Sequence, residues 1–547
     1  MSATRSPSLP RGAALLRDPA LNKGSAFTAA ERAALGLEGL LPPRVYALEE
    51  QVGLVLENLR RLPTPLEKYI ALEGLHNRNE TLFFRTIVDH PDEIVPLVYT
   101  PTVGAACQQF SHIVQRPRGL FITPEHRGRI AQVLRNWPYR DVAIIVVTDG
   151  GRILGLGDLG ANGMGIPIGK LVLYSACAGV DPTRTLPVTL DVGTNTESIL
   201  ADPLYCGTRR RRIERGDYDA LVEEFITATQ QVFPGVLIQF EDFANVNAFR
   251  LLAKYRDRVC SFNDDIQGTG AVLLAGLLCA MRVTGGRLVD QRILCLGAGG
   301  AAAGLCNTAA AAMALEGLPE AEARRRLWMF DTKGLVVAGR TDLAEHKRPF
   351  AHEHAPVGDF LGAVKALKPT AIVGVSTAAG AFNEDVLKAM ATINPRPIVF
   401  PLSNPTTKAE CTAEQAYRAT GGGALFASGS PFDPVTLAGA TYVPRQCNNS
   451  YVFPGVGLGA IACGTQRVTD EMFLAAARTL AEQVTEADLA QGSLYPALAR
   501  VREVSARIAA AVAEVAHARG LATKPRPTEV LVDVRAQMYQ PEYRAWA

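Results

Sequence analysis

The tightest constraint on what this chain can fold into is a junction near residue 297. A short apolar run, Ile293-Leu294-Cys295-Leu296, ends in Gly297-Ala298-Gly299-Gly300-Ala301-Ala302, and an alanine-rich stretch follows. A dinucleotide loop must leave a buried strand and open a helix whose first amides face a pyrophosphate. Gly297, Gly299 and Ala302 give the G-x-G-x-x-A pattern in that context, with Ala301 inside the loop. Two other glycine clusters, 155–160 and 455–459, lack one or both flanking elements and are read as packing glycines. The acid expected at the end of the next strand is Asp331, after Leu327-Trp328-Met329-Phe330. It lies 34 residues past Gly297. About 20 is usual, so residues 316–326 read as an extension of the intervening helix.

Further apolar runs at 371–375, 398–402 and 424–427 alternate with helical segments, which predicts a doubly wound parallel sheet. Upstream, strand-like runs at 141–148, 184–192 and 236–240 alternate with helical ones at 170–178 and 218–231, which predicts a second α/β unit. Residues 28–116 are dense in helix formers, with helical spacing at 45–56 and 68–72, and read as a helical first domain. Helix returns at 470–484 and 498–518, before a polar, proline-containing tail. The fold class is α/β, and 547 residues suffice for several packed units.

Lys+Arg 56 against Asp+Glu 54 leaves a net charge of +2, and the one notable run of one sign is Arg209-Arg210-Arg211-Arg212. A nucleic-acid partner is therefore not expected. Apolar stretches such as 271–281 fall short of the ~18 residues of a membrane span, so no membrane partner is expected. Ten cysteines without a CxxC or CxC pair suggest neither a disulfide framework nor a zinc site, and a reducing, cytoplasmic compartment is the expectation. Residues 1–17 hold three arginines, three serines and no acid, a transit-peptide-like composition that leaves an organellar matrix as the minor alternative.

Two acids, Glu241 and Asp242, follow the apolar run Leu237-Ile238-Gln239-Phe240, at the strand end where α/β sites lie. A second pair, Asp264-Asp265, sits between Phe262-Asn263 and Ile266. Burying such acids is costly unless a cation compensates, and oxygen ligands without histidine or cysteine favour Mg²⁺ or Mn²⁺. Each pair also reads as a solvated strand end or helix cap. Lys170 ends the glycine-rich run 163–169, a backbone that could crowd a ligand. It becomes a general base if its pKa falls from ~10.4 toward 7 or 8, and is otherwise an ordinary surface lysine. His352 and His354 read as a solvated pair.

Five motifs, in order, resemble the malic enzymes of the long-chain type: Val98-Tyr99-Thr100-Pro101-Thr102-Val103-Gly104, residues 152–160, Phe240-Glu241-Asp242-Phe243, residues 262–269 and Leu402-Ser403-Asn404-Pro405-Thr406. The resemblance implies oxidative decarboxylation of L-malate to pyruvate and CO₂ with reduction of NADP or NAD, in the presence of Mg²⁺ or Mn²⁺. It also implies roles. Glu241, Asp242 and Asp265 would ligate the metal, Lys170 would be the general base with Asp264 beside it, and Tyr99 the general acid. Arg152 would pair with a malate carboxylate, and Asn404 and Asn449 would hold substrate near the nicotinamide. Gly297, Gly299, Ala301, Ala302, Asp331, Lys347 and Asn404 would bind cofactor. Thr332-Lys333-Gly334, and Lys347 just before Arg348-Pro349-Phe350, favour NADP.

The implied architecture is a helical domain at 1–116, an α/β catalytic domain at 117–263 resumed by helices at 449–520, an inserted Rossmann-like domain at 264–448, and a tail at 521–547 expected at an oligomer contact. A homodimer or homotetramer is implied. Fumarate activation, known in some animal members, is not expected, because Leu54 stands where one of the two arginines aligns although Arg78 matches the other. Two alternatives stay open: a malolactic-type enzyme releasing lactate, and a catalytically silent cofactor-binding regulator, which would need a lost base, acid or ligand.

Overall fold

The computed structural model describes residues 9–546, so residues 1–8 of the arginine- and serine-rich segment lie outside them. The N-terminal region is helical as its spacing predicts. The helix expected from Val45 begins at Leu48 and runs to Arg61, because the Glu50 carboxylate accepts from the Ala47 N–H and fixes the start there. Val52, Leu56 and Leu59 face the core, while Leu54 is exposed. Thr64 and Glu67 form a capping box, with Pro65 at the first position of the helix Pro65–His76.

Two parallel sheets follow. The first contains β1 (Leu120–Ile122), β2 (Ile144–Thr148), β3 (Thr185–Leu190), β4 (Leu237–Phe240) and β5 (Ser261–Asn263), in the spatial order β1-β3-β2-β4-β5. The second contains β6 (Ile293–Leu296), β7 (Leu327–Asp331), β8 (Gly334–Leu335), β9 (Ala371–Gly374), β10 (Ile398–Pro401) and β11 (Leu425–Ser428). A two-stranded hairpin, β12 (Val435–Leu437) with β13 (Ala440–Tyr442), precedes β14 (Arg445–Gln446), which joins the second sheet. Its order is β14-β11-β10-β9-β6-β7-β8, parallel except for the β7–β8 pair.

Both sheets reverse direction of winding at one point. In the first, the chain goes from β2 to β3 on one side and then to β4 on the other; in the second, from β6 to β7 and then to β9. The loops after β2 and β4, and those after β6 and β9, therefore flank crevices at carboxyl strand ends, where ligands bind in such sheets.

Between β6 and β7 the single extended helix expected over 316–326 does not form. The helix Gly300–Leu315 stops, Gly317 takes φ 92°, and after Pro319 a separate helix runs Glu320–Arg325. The glycines at 163–169 also differ from expectation. They lie in a 3₁₀ turn, Gly160–Met164, and in the helix Gly165–Ala178, where they let the chain approach itself rather than a ligand. A Cβ at Gly165 would sit 2.7 Å from the Cys107 sulfur, and one at Gly169 3.3 Å from both the Tyr99 ring and the Val98 carbonyl. Gly455, Gly457 and Gly459 are packing glycines inside the helix Phe453–Cys463, which lies on the Lys170 helix with the Tyr174 and Phe453 rings 5.0 Å apart.

A five-residue π turn, Asp264–Gly268, runs directly into the helix Thr269–Thr284. This 21-residue unit is long and apolar enough to cross a membrane, contrary to the expectation that no apolar run reaches that length, but 78% of its most apolar window is buried inside the protein. Its partner is the helix Gly300–Leu315, which approaches so closely that a Cβ at Gly304 would lie 1.9 Å from the Ile266 carbonyl oxygen. No side-chain rotation relieves a clash with backbone. Gly304→Ala is therefore expected to destabilise by about 1–3 kcal/mol from overpacking, despite alanine's better helix propensity, and a lowered denaturant midpoint checks this.

Three of the four arginines in the run have acidic partners within the chain: Arg210 pairs with Glu125 at 2.7 Å, Arg211 with Glu197, and Arg212 with Asp158 at 2.8 Å, while Arg209 donates to the Pro203 carbonyl. His352 is not solvated, as its Nε2 meets the Leu327 carbonyl at 2.9 Å and its ring packs edge-on against Trp328. The tail is more ordered than its composition suggests. A helix, Val530–Gln537, packs on Val501–Ala518, and the end runs back over the N-terminal domain, where the Tyr543 hydroxyl donates to Gln51 and the Trp546 N–H to Glu31.

Candidate active site

The loops at the two crevices meet around a cavity of about 180 Å³ lined by Tyr99, Arg152, Lys170, Glu241, Asp242, Asp265, Asn404 and Asn449, among others. Strand register explains the acidic cluster. Phe240 pairs with Asn263, so Glu241-Asp242 and Asp264-Asp265 emerge side by side from adjacent strands. The carboxylates of Glu241, Asp242 and Asp265 each offer an oxygen within 4.8 Å of the others. Asp242 adopts φ 54°, a left-handed conformation that aspartate tolerates better than most residues. That turn lets its N–H donate to Asp265 Oδ2 at 2.8 Å, while its own buried Oδ2 has no hydrogen-bond partner.

Burial pushes all three carboxyls up from their ordinary values; for Asp242 the next contribution is repulsion by Asp265, and for Glu241 the attraction of Lys170 works against burial. Two buried acids and a half-buried third, with an orphaned oxygen among them, are a donor set suited to a hard divalent cation.

Lys170 is 1% exposed and projects from its helix into this cluster. Its ammonium pairs with Asp264, lies 3.0 Å from Glu241, and sits 4.2 Å from the Phe453 ring centroid and 5.5 Å from that of Tyr99. Burial works to lower its pKa, as a general base requires, but Asp264 and then Glu241 outweigh burial and hold it well above the ordinary lysine value. The expected depression is thus reversed by two carboxylates. Burial keeps the Tyr99 phenol protonated far above its usual range.

Asn449 donates to Asp264 Oδ2 at 2.9 Å and to Thr269 at 2.9 Å, which ties the segment after β14 to the Asp264 turn. Arg152 donates to Asn245 Oδ1 at 2.6 Å, and both lie over Gly299, where a Cβ would meet Asn245 at 3.1 Å. Gly297, φ 118°, has its Cβ direction closed by the Val375 carbonyl at 2.6 Å, so only glycine fits this turn. Asn404 accepts from the Ser430 hydroxyl at 2.6 Å.

At the end of β7, Asp331 is held by Arg340 through two contacts at 2.8 and 3.1 Å and by Lys347 at 2.6 Å. Partial burial raises this carboxyl, but Arg340 and then Lys347 bring it below its ordinary value. Asn245, Phe453, Thr269 and Arg340 have no place in the expectations from sequence. A signal existed for Arg340, a cation nine residues past Asp331, and for Asn245, which opens a helix just after Glu241-Asp242.

Models of known families match most of the chain: "Malic enzyme, N-terminal domain" over residues 76–256 and "Malic enzyme, NAD binding domain" over 266–517. This chain belongs to the malic enzyme family. A human (Homo sapiens) protein named NADP-dependent malic enzyme is 52% identical over 536 residues, covering 97% of this chain and 94% of that one. Arabidopsis thaliana NADP-dependent malic enzyme 4, chloroplastic, is 50% identical over 543 residues, 98% of this chain and 84% of that one. Among solved structures, the Entamoeba histolytica malic enzyme superposes with a TM-score of 0.59 at 23% identity, covering 92% of this chain and 91% of that one, which supports the fold.

Proposed function

We propose that this malic enzyme converts L-malate to pyruvate and CO₂, prefers NADP while accepting NAD, and uses Mg²⁺ or Mn²⁺. The observation that carries the reading is the juxtaposition of a three-carboxylate cluster, a buried lysine and a buried tyrosine in one cavity beside a dinucleotide loop. Glu241, Asp242 and Asp265 would hold the metal, which when bound supplies Lewis acidity toward substrate oxygens. The dinucleotide, when bound along Gly297, Gly299, Ala301 and Ala302, supplies the hydride acceptor.

The chain's own residues do the rest. Arg152 and Asn449 orient the diacid, and Asn404 fixes its approach to the nicotinamide side. Lys170 takes the C2 hydroxyl proton as the alcohol is oxidised. Asp264 and then Glu241 favour its ammonium form; a dication on Glu241 would offset the second attraction and repel the ammonium, both in the direction in which burial already acts, against Asp264 alone. After CO₂ leaves, Tyr99 returns a proton to C3, and the phenol's raised pKa keeps that proton in place until then.

Purified protein with malate, Mn²⁺ and NADP should generate absorbance at 340 nm and pyruvate. Lactate without net NADPH would overturn the assignment. Homodimer or homotetramer assembly is the state expected from the family, and sedimentation decides it. Ten unpaired cysteines fit a reducing, cytoplasmic setting.

The acid at the second strand end ordinarily favours NAD by repelling a 2′-phosphate. Here Arg340 and Lys347 cover that charge. A lysine ~4 Å from a phosphate oxygen contributes up to about 4 kcal/mol at an effective dielectric of 20, and a net ~1.4 kcal/mol is tenfold. Lys347→Gln is expected to raise the KM for NADP about tenfold while scarcely moving that for NAD. An unchanged NADP value, or wild-type kcat/KM higher with NAD, would sink this reading of Lys347.

A further inference from the structure

Glu410 is fully buried, and among the described residues no lysine or arginine pairs with it. Its carboxylate instead collects four donors from two separate loops. Oε1 accepts from the Ser376 N–H and hydroxyl, each at 3.2 Å, and from the Ser403 hydroxyl at 2.5 Å; Oε2 accepts from the Ser403 N–H at 3.3 Å. Ser376 follows β9 and Ser403 follows β10, so one carboxylate ties together the ends of neighbouring strands. Space for it is reserved by Gly374, where a Cβ would lie 2.3 Å from the Glu410 carboxyl carbon.

The two loops in turn form one wall of the cavity through Val375, Thr377, Leu402, Ser403 and Asn404. Thr377 adopts φ 61°, a left-handed conformation that a β-branched residue holds only where its surroundings over-determine it. What holds it is Ser403, whose hydroxyl oxygen accepts from the Thr377 N–H at 2.8 Å while its proton goes to Glu410. The Ser376 oxygen likewise accepts from Ala378 at 3.2 Å while its proton points to the same carboxylate. Both hydroxyls are therefore oriented by Glu410. The wall they build also touches the other sheet's loop, since a Cβ at Gly155 would meet the Asn404 carbonyl at 2.5 Å and the Thr377 methyl at 3.0 Å.

We propose that Glu410 is a positioning residue for the reaction: it fixes the 375–378 and 402–404 loops in the one arrangement that presents Asn404 to the nicotinamide side of the cavity. This rests on the functional reading above. A glutamine cannot reproduce the arrangement, because its NH₂ replaces an acceptor with a donor opposite at least one of the four donors. Burial raises the carboxyl's pKa and the Ser403 hydroxyl opposes that, but the assignment stands on the four contacts and on Thr377.

The test is Glu410→Gln with three readouts: steady-state kinetics with malate and NADP, the dissociation constant of 2′,5′-ADP, and thermal melting. 2′,5′-ADP carries the adenosine and 2′-phosphate but no nicotinamide. The expected result is a fall in kcat and a rise in the KM for NADP that together lower kcat/KM about a hundredfold, as a misplaced reacting group does. The affinity for 2′,5′-ADP should stay within a factor of about two, since Asp331, Arg340 and Lys347 are untouched. Unchanged kinetics, or a loss of 2′,5′-ADP affinity by the same factor, would overturn the proposal in favour of a purely structural carboxylate. Should Glu410→Gln not fold, Ser376→Ala, which removes one donor and keeps the carboxylate, must give the same split on a smaller scale, and an unaltered kcat/KM there would also overturn it. A wild-type protein that makes no NADPH from malate, yet binds 2′,5′-ADP, would instead refute the functional reading itself.

Discussion

Replacing Asp265 by alanine is expected to abolish malate turnover while leaving dinucleotide binding within a few-fold of wild type. Asp265 offers one of the three clustered carboxylates and also accepts the Asp242 N–H, so its loss removes one ligand and releases the turn that aims a second. Lewis acidity at a substrate oxygen contributes several kcal/mol, and about 4 kcal/mol corresponds to a thousandfold in rate. Asp331, Arg340 and Lys347, the contacts proposed for the cofactor, cluster at the end of β7 in the other sheet and beyond it. The measurement is turnover with saturating Mn²⁺ beside NADPH binding followed by fluorescence. Full activity of Asp265→Ala in the presence of EDTA would eliminate the metal assignment.

The second large effect separates base from acid. Lys170→Ala is expected to lose malate oxidation and oxaloacetate reduction together, since both move the C2 hydroxyl proton, by about 10² to 10⁴ as general acid–base deletions do. The substitution leaves Asp264 and Glu241 buried without their cation, a situation that costs about 3–5 kcal/mol, so melting must be recorded alongside activity. Tyr99→Phe keeps the ring against Gly169 and removes only the hydroxyl. It should lose overall turnover yet retain part of oxaloacetate reduction, because that step does not use the C3 proton. Equal loss of both reactions in the tyrosine variant would contradict divided roles.

What the sequence made legible, and what it hid, follows from which interactions are local. The strand, glycine loop and helix at 293–315 are encoded within two dozen residues, and they form there. The acidic pairs were visible as unusual residues at apolar strand ends, but their convergence depends on β4 and β5 lying side by side in register, which periodicity does not specify. The sign of the Lys170 pKa shift was hidden for the same reason: it depends on Asp264, 94 residues away. Glycines at 163–169 signalled close approach correctly but not its target, since a missing Cβ says nothing about which atom fills the space. Glu410 left no sequence signal, because a lone glutamate reads as surface: two of its donors come from Ser376, 34 residues away, and the other two from Ser403, whose approach depends on the turn after β10.

The helix Asp264–Thr284 has a consequence for motion. Its first turn carries Asp264 and Asp265, its body is core, and that same turn meets the helix Gly300–Leu315 backbone to backbone, Ile266 against Gly304. A contact this close leaves no slack between the acidic turn and that helix. A swing of the second sheet that carries the helix Gly300–Leu315 with it therefore carries Asp264 and Asp265 away from Glu241 and Asp242, which end the neighbouring strand β4 of the first sheet. Opening the crevice of the second sheet and taking the acidic cluster apart are then one motion.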